Sequence, residues 1–361
     1  MAGLCNWRAL PGRLLSPPGG LIDRDLATGE PNGILFEMLG YVREKVLPPL
    51  SAAEMEQGMA LVNRYYLSCG ITSLQEASVT NDLNRWYALR RLKDAGSLKS
   101  RVSMMFGMAA LSQFREAGLA RGAGDSQLRL GGVKIMVGET TGRLEPAQPV
   151  LNEQAAVAQR AGFQLAIHAI EPGAVAAAIV ALEYARQLPG TGLRHRIEHC
   201  SECPPELLER IKRLGTVIVT QPPFVYYSGE RYLAMVPAER FPWLYRFRSF
   251  FDSGLTVAGS SDCPVVPANP LVGICAAVTR RAETGQAVLP EQSISVRQAL
   301  AMYTTNAAYT SFEEAIKGSI TPGKLADMVV LSDDPATVSP EKIKDITVEM
   351  TIIDGEVVNP A

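Results

Sequence analysis

Four side chains able to hold a metal or move a proton, Lys134, His168, His199 and Asp262, lie along this 361-residue chain at intervals of 34, 31 and 63 residues. Those intervals are close to one, one and two strand-plus-helix units of about 30 residues each. His168 closes the run LAIH, His199 closes RIEH, Lys134 follows LRLGGV and Asp262 follows LTVAGSS. The repeat sets one nitrogen or oxygen donor at the end of each of four parallel strands. In a (β/α)8 barrel the residues that do chemistry collect at that rim, so the spacing predicts a metal site there, and imidazole donors suit zinc. Each residue also has a plainer reading. A lone lysine at a strand end is commonly a solvated rim residue, His168 and His199 could be hydrogen-bonded core histidines, and Asp262 could cap the turn before Pro264. That both histidines fall at the same strand end favours ligation. The third histidine, His195, sits four residues before His199, nearer the opposite end of the barrel, and reads as structural. Glu198 alternates with His199 and is expected to face the helical layer, without chemistry.

Strand-like runs supply the positions: ITSLQEA (71–77), RVSMMFGM (101–108), LRLGGVKIMV (128–137), FQLAIHAI (163–170), RHRIEHC (194–200), TVIVTQPP (216–223) and LTVAGSSD (255–262). Helical segments such as NRWYALRRLKDAG, EQAAVAQRAG and PPELLERIKRLG lie between them. Alternation of this kind predicts an α/β fold, a parallel sheet with helices outside. Seven recognisable strands make an incomplete (β/α)8 TIM-type barrel, one strand short of closure. Ahead of them PPGGLIDRDLATGEPNG reads as a turn-rich ribbon, and GILFEMLGYVREKV and SAAEMEQGMALVNRYYLSCG as helices, the second stopping at Gly70. After them TSFEEAIKG reads as helical, and SITPGKLADMVVLSDDP and VEMTIIDGEVV as short strands with a hairpin turn at Asp354–Gly355. Such strands cannot extend a parallel barrel and are expected in a partial C-terminal β-sandwich beside it. The divisions fall at 1–60 (irregular and helical), 61–310 (barrel) and 311–361 (sandwich segment).

Composition narrows the class. Lys and Arg number 35 against 37 Asp and Glu, a formal charge of −2, so no basic face recruits nucleic acid and no polybasic tail addresses a membrane. The apolar run AVAAAIVAL (174–182) is far below the length that spans a bilayer, and prolines and arginines interrupt the N-terminal residues too often for a signal peptide. The expected setting is cytoplasmic, with a small-molecule substrate and, as an open possibility, a homo-oligomer. Six scattered cysteines make no disulfide framework. Cys200 and Cys203 form a CxxC directly after His199, but no second ligand pair accompanies it for a structural zinc, and both thiols are expected to pack in the loop after that strand.

RHRIEHC, GSSDCPVVPANPLVGICAAVTRR, TTNAAY and above all GSITPGKLADMVVL resemble the amidohydrolase superfamily, in particular the amidohydrolase 3 group that includes N-substituted formamide deformylases and similar N-acyl hydrolases. The resemblance runs from about residue 18 to the C-terminus. It implies that Lys134 is carbamylated and bridges two divalent metals, usually zinc. It further implies that His168 and His199 bind the second metal, and that Asp262 binds the first while serving as general base. The chemistry agrees: carbamylation turns a cation into a carboxylate-like bridge, and two metals about 3.5–4 Å apart acidify a water and polarise a carbonyl. Asp262 would take the water's proton and pass it to the leaving nitrogen.

The sequence departs from that pattern in three places. The superfamily's first strand carries an HxH pair for the first metal, whereas no histidine precedes His168. The missing eighth strand and the missing ligands are therefore one absence, and the chain is expected to correspond to the C-terminal two-thirds of a longer amidohydrolase, without the N-terminal half of the sandwich. AIEPG also replaces the acidic HxxGD-type continuation after His168. For substrate contacts, PFVYYSGERYL is expected as a loop on the active rim, with Tyr226, Tyr227 and Arg231 lining a pocket or the tyrosines simply packing on the barrel top. Two function classes follow: a metal-dependent hydrolase of a non-peptide C–N bond, impaired by the absent HxH strand, or an inactive barrel that binds a ligand or serves as a scaffold.

Overall fold

The computed structural model describes residues 16, 20–36, 38, 41–42, 45–48, 50–139, 143–190 and 192–359. Two short strands, β1 (Leu21–Arg24) and β2 (Pro31–Phe36), pair antiparallel around a turn in which Asp25 Oδ1 accepts from the N–H groups of Ala27 and Thr28. Residues 33–36, expected to open a helix, are thus strand: the Asp25 turn folds them back onto β1. The helix Ala52–Ser68 does form, opened by a capping box between Ser51 and Glu54 and followed by Gly70 at φ +73°. It runs through the boundary expected at residue 60.

All seven expected barrel strands are present: β3 (Ser73–Glu76), β4 (Arg101–Gly107), β5 (Leu128–Met136), β6 (Leu165–Ala169), β7 (Arg196–His199), β8 (Val217–Thr220) and β9 (Val257–Gly259). They pair in chain order, all parallel, in one curled sheet whose edges are β3 and β9. Leu165, Ile167 and Ala169 of β6, Ile197 of β7 and Ile218 of β8 join the apolar core with the outer helices. Val217, Val219 and Ala258 form a small second cluster on the inner face. Such two-sided burial is what apolar runs in a parallel sheet require.

No strand joins β9 to β3 among the described residues. Helical residues bridge that side instead. Gln75 on β3 donates to Ala307 O (3.0 Å) and Thr310 Oγ1 (2.7 Å) of the helix Thr305–Thr310, whose Asn306 donates to Val257 O on β9 (2.9 Å). Nearer the rim, Tyr65 Oη of the helix Ala52–Ser68 accepts from the Ala268 N–H at 2.7 Å. TSFEEAIKG does not continue as a helix: Phe312 at φ +61° turns the chain.

The tail forms a three-stranded antiparallel sheet of β10 (Met328–Leu331), β11 (Val348–Ile353) and β12 (Glu356–Asn359), with the expected hairpin at Asp354 (φ +54°) and Gly355 (φ +82°). Arg101 at the start of β4 fixes this sheet to the barrel, donating to Asp327 (2.6 and 2.9 Å) and to Asp354 (2.5 Å). With Arg101 and Asp327 both buried, losing one partner would strand a charge at a cost of about 3–5 kcal/mol. Among the described residues no helix is long and apolar enough to cross a membrane.

Candidate metal centre

Lys134, on β5, is 6% exposed, and the charges that bear on it are those of Glu198, Arg196, Asp262 and Glu76. Burial pushes its ammonium below the usual lysine range, and the three carboxylates oppose that shift. His168 pairs in register with Glu198, so both side chains leave the sheet on the inner face, as a parallel ladder demands. The rings of His168 and His199 stand edge to face with centroids 4.4 Å apart. His199 Nδ1 lies 2.7 Å from Gln221 Oε1. An amide oxygen there means that Nδ1 carries the proton, leaving Nε2 as the lone-pair donor. Burial holds both imidazoles neutral, His168 near a pKa of about 2 and His199 near about 3, with the Lys134 charge acting in the same direction. Asp262, beyond β9 at φ +55°, has its carboxyl raised by burial, while Lys134 pulls it down.

The structure therefore brings His168 and His199 into contact and sets Lys134 within electrostatic reach of both and of Asp262. It corrects the reading of Glu198. That residue points inward, 4% exposed and ion-paired with Arg196, rather than toward the helices. Alternation predicted the opposite because it assumed a regular strand through residue 199. His199 and Cys200 instead adopt φ +69° and +48°, and this left-handed turn brings His199 to the same side as Glu198. Arg196 also reaches Gln75 Oε1 across the barrel. Glu76, at the end of β3, is a further carboxylate beside Lys134. Burial raises it, and Ser78 and Asn81 both donate to it.

Among the described residues no contact joins the expected substrate residues to this cluster. PFVYYSGERYL is no loop; it lies in the helix Pro222–Met235, which starts directly after Gln221 because Pro222 and Pro223 favour a helix's first turn. Tyr226 faces charges at Glu283, Lys344 and Asp345, Tyr227 meets Tyr226 edge to face, and Arg231 lies 5.5 Å over the Tyr232 ring. His195 is structural as expected: Nδ1 accepts from the Leu165 N–H (3.0 Å) and Nε2 donates to Gln159 Oε1 (2.7 Å). Cys200 and Cys203 are buried free thiols.

The donor types suit one divalent metal. Two neutral imidazoles and a carboxylate supply nitrogen and oxygen, and a fourth donor requires Lys134 to lose its proton or to be carbamylated. Among the described residues no three His, Cys, Asp or Glu side chains gather into a metal-sized group, so Asp262 does not close on the two imidazoles as the side chains stand and would have to move toward them to become a ligand.

A curled parallel sheet with these donors at its rim is the architecture of metal-dependent hydrolase barrels, and the chain belongs to the Amidohydrolase family, whose model it matches over residues 12–359. It is 25% identical over 366 residues to YtcJ of Bacillus subtilis (strain 168), covering 95% of this chain and 68% of that one. It is 25% identical to the N-substituted formamide deformylase of Arthrobacter pascens, covering 94% and 67%. An uncharacterized metal-dependent hydrolase from Pyrococcus furiosus superposes with a TM-score of 0.72 at 28% identity, covering 90% and 68%, and one from Pyrococcus horikoshii OT3 with 0.71 at 27%, covering 83% and 63%. The chain thus spans about two thirds of the length of the relatives it matches.

Proposed function

We propose that this chain hydrolyses a non-peptide C–N bond of an N-acyl or formamide-like small molecule, with a divalent metal, zinc, held by Lys134, His168, His199 and Asp262. The observation that carries this reading is the contact of two neutral imidazoles, 4.4 Å apart, beside a buried lysine whose charge acts on both of them and on Asp262. When bound, the metal would supply a water acidified toward neutrality and a polarised carbonyl. The chain's own groups do the rest. Burial favours the neutral Lys134 amine, the form that adds to carbon dioxide. Gln221 would fix the His199 tautomer so that Nε2 keeps the lone pair that could hold a metal. Asp262, with its carboxyl raised, is suited to take a proton and return it to the leaving nitrogen. Glu198, held by Arg196, balances positive charge beneath the site.

The family resemblance supports the reaction class, and the Arthrobacter relative's name supports the substrate class. A second reading, an inactive barrel that binds a ligand or serves as a scaffold, draws on one specific observation: among the described residues no three His, Cys, Asp or Glu side chains gather into a metal-sized group. Incubating the zinc-loaded chain with N-substituted formamides and N-acyl amines, and assaying the released amine with and without chelator, separates the two. Chelator-sensitive release supports hydrolysis. No release by a chain that retains its zinc supports the second reading.

A further inference from the structure

The floor of the half-barrel, away from the rim, holds a second polar cluster. Along β4 and β5, Met104 pairs with Leu130 and Phe106 with Val133, so β5 uses three residues where β4 uses two. The extra residue falls at Gly131–Gly132, where a Cβ on Gly132 would lie 2.6 Å from Gln164 O. This bulge reverses the side-chain alternation. Leu128 and Leu130 before it, and Val133 and Ile135 after it, all enter the outer apolar core, so Arg129 faces inward as Lys134 does. Beside Arg129 lies a small cavity lined by Arg121, Gln75, Ser103, Gln164 and Phe312. It admits about one water-sized occupant.

Arg121 lies 4.1 Å over the Phe312 ring, and its buried Nε has no hydrogen-bond partner among the described residues. The neighbouring arginines are neutralised, Arg194 by Glu314 at 2.6 Å and Arg196 by Glu198. Among the described residues neither Arg121 nor Arg129 has a carboxylate partner. Two guanidinium groups side by side, one with a buried donor unmet, call for an acceptor that also carries negative charge. A water supplies only the acceptor, and the space excludes phosphate.

We propose that this cavity binds a monatomic anion, chloride, between Arg121 and Arg129. Burial, and then the charges of Arg129 and Arg194, hold the Arg121 guanidinium below its usual range, a repulsion that a bound anion relieves. The anion ties the segment carrying Arg121 to β5, so it acts on stability and leaves the rim donors untouched.

The test compares thermal unfolding of the full chain in sodium chloride and in sodium gluconate at equal ionic strength. Saturating chloride is expected to raise the unfolding temperature by about 2–5 °C, with a saturable concentration dependence. Arg129→Met should lose that increment. Crystals grown in bromide should show an anomalous peak between the two guanidinium groups. Equal unfolding temperatures in the two salts, an increment retained by Arg129→Met, or an anomalous map empty at this position overturns the proposal. If Arg129→Met does not fold, the bromide map of the native protein decides alone.

Discussion

His199 Nδ1 lies 2.7 Å from Gln221 Oε1, so a residue just past β8 sets which nitrogen of the β7 histidine is free. Partners of this kind are worth about 10–100-fold in metal affinity. Gln221→Ala is expected to weaken zinc binding by about that factor in a chelator competition, and Gln221→Glu, which keeps an acceptor, to restore most of it. Equal affinity for the wild type and Gln221→Ala would show that the contact does not orient a ligand.

Gln221 also marks where sequence reasoning stopped. The strands were legible because each is an apolar run between turn signals, and Lys134, His168, His199 and Asp262 followed from their positions at strand ends. Gln221 closes the same kind of run, in VIVTQ, and its place at a strand end was an available signal. Glu198 was misread because nothing in RIEHC announces the left-handed turn at His199 and Cys200. Arg129 is set inward by the bulge at Gly131–Gly132, and paired glycines in a strand are the usual mark of such a bulge. A place on the rim suggests a loop for PFVYYSGERYL, but the helix-opening prolines at its start decide for the helix.

His195 gives a pH prediction independent of any metal. Burial lowers its pKa to about 4 from an ordinary 6.5, so the unfolded chain binds the extra proton first. The stability this histidine contributes is complete above about pH 6.5 and is lost as pH falls toward 4, by about 1 kcal/mol between pH 7 and 5.5. Urea unfolding at the two pH values should show His195→Gln losing less stability than the wild type over that interval. Parallel losses would contradict the assignment.

The open sheet edges predict association. Among the described residues β3 and β9 have no strand partner beyond them, and the helix Thr305–Thr310 bridges the opening without completing the backbone ladder. The unfolding temperature is expected to depend on protein concentration, with dimers or larger species in sedimentation. A monomer with a sharp, concentration-independent transition would show that the helical bridge suffices.

Activity should depend on Asp262. Removing a general base costs about 10²–10⁴-fold. With the HxH ligands absent from these 361 residues, turnover of N-acyl amines is expected to be weak, to fall below detection in Asp262→Asn, and to rise when a segment carrying HxH is supplied ahead of residue 1. Robust turnover by residues 1–361 that Asp262→Asn abolishes would confirm the site and overturn the expected impairment. Turnover unaffected by Asp262→Asn would remove the aspartate from the mechanism.

The central claim is that these rim residues form one metal site, and anomalous diffraction at the zinc edge from zinc-loaded crystals tests it most directly. The account predicts a single peak per chain, within about 2.0–2.1 Å of a nitrogen of His168 and of His199 Nε2, with Asp262 and Lys134 at the remaining positions. Two peaks of full occupancy at the rim, a peak at Cys200 and Cys203 instead, or no peak between the two imidazoles would contradict it.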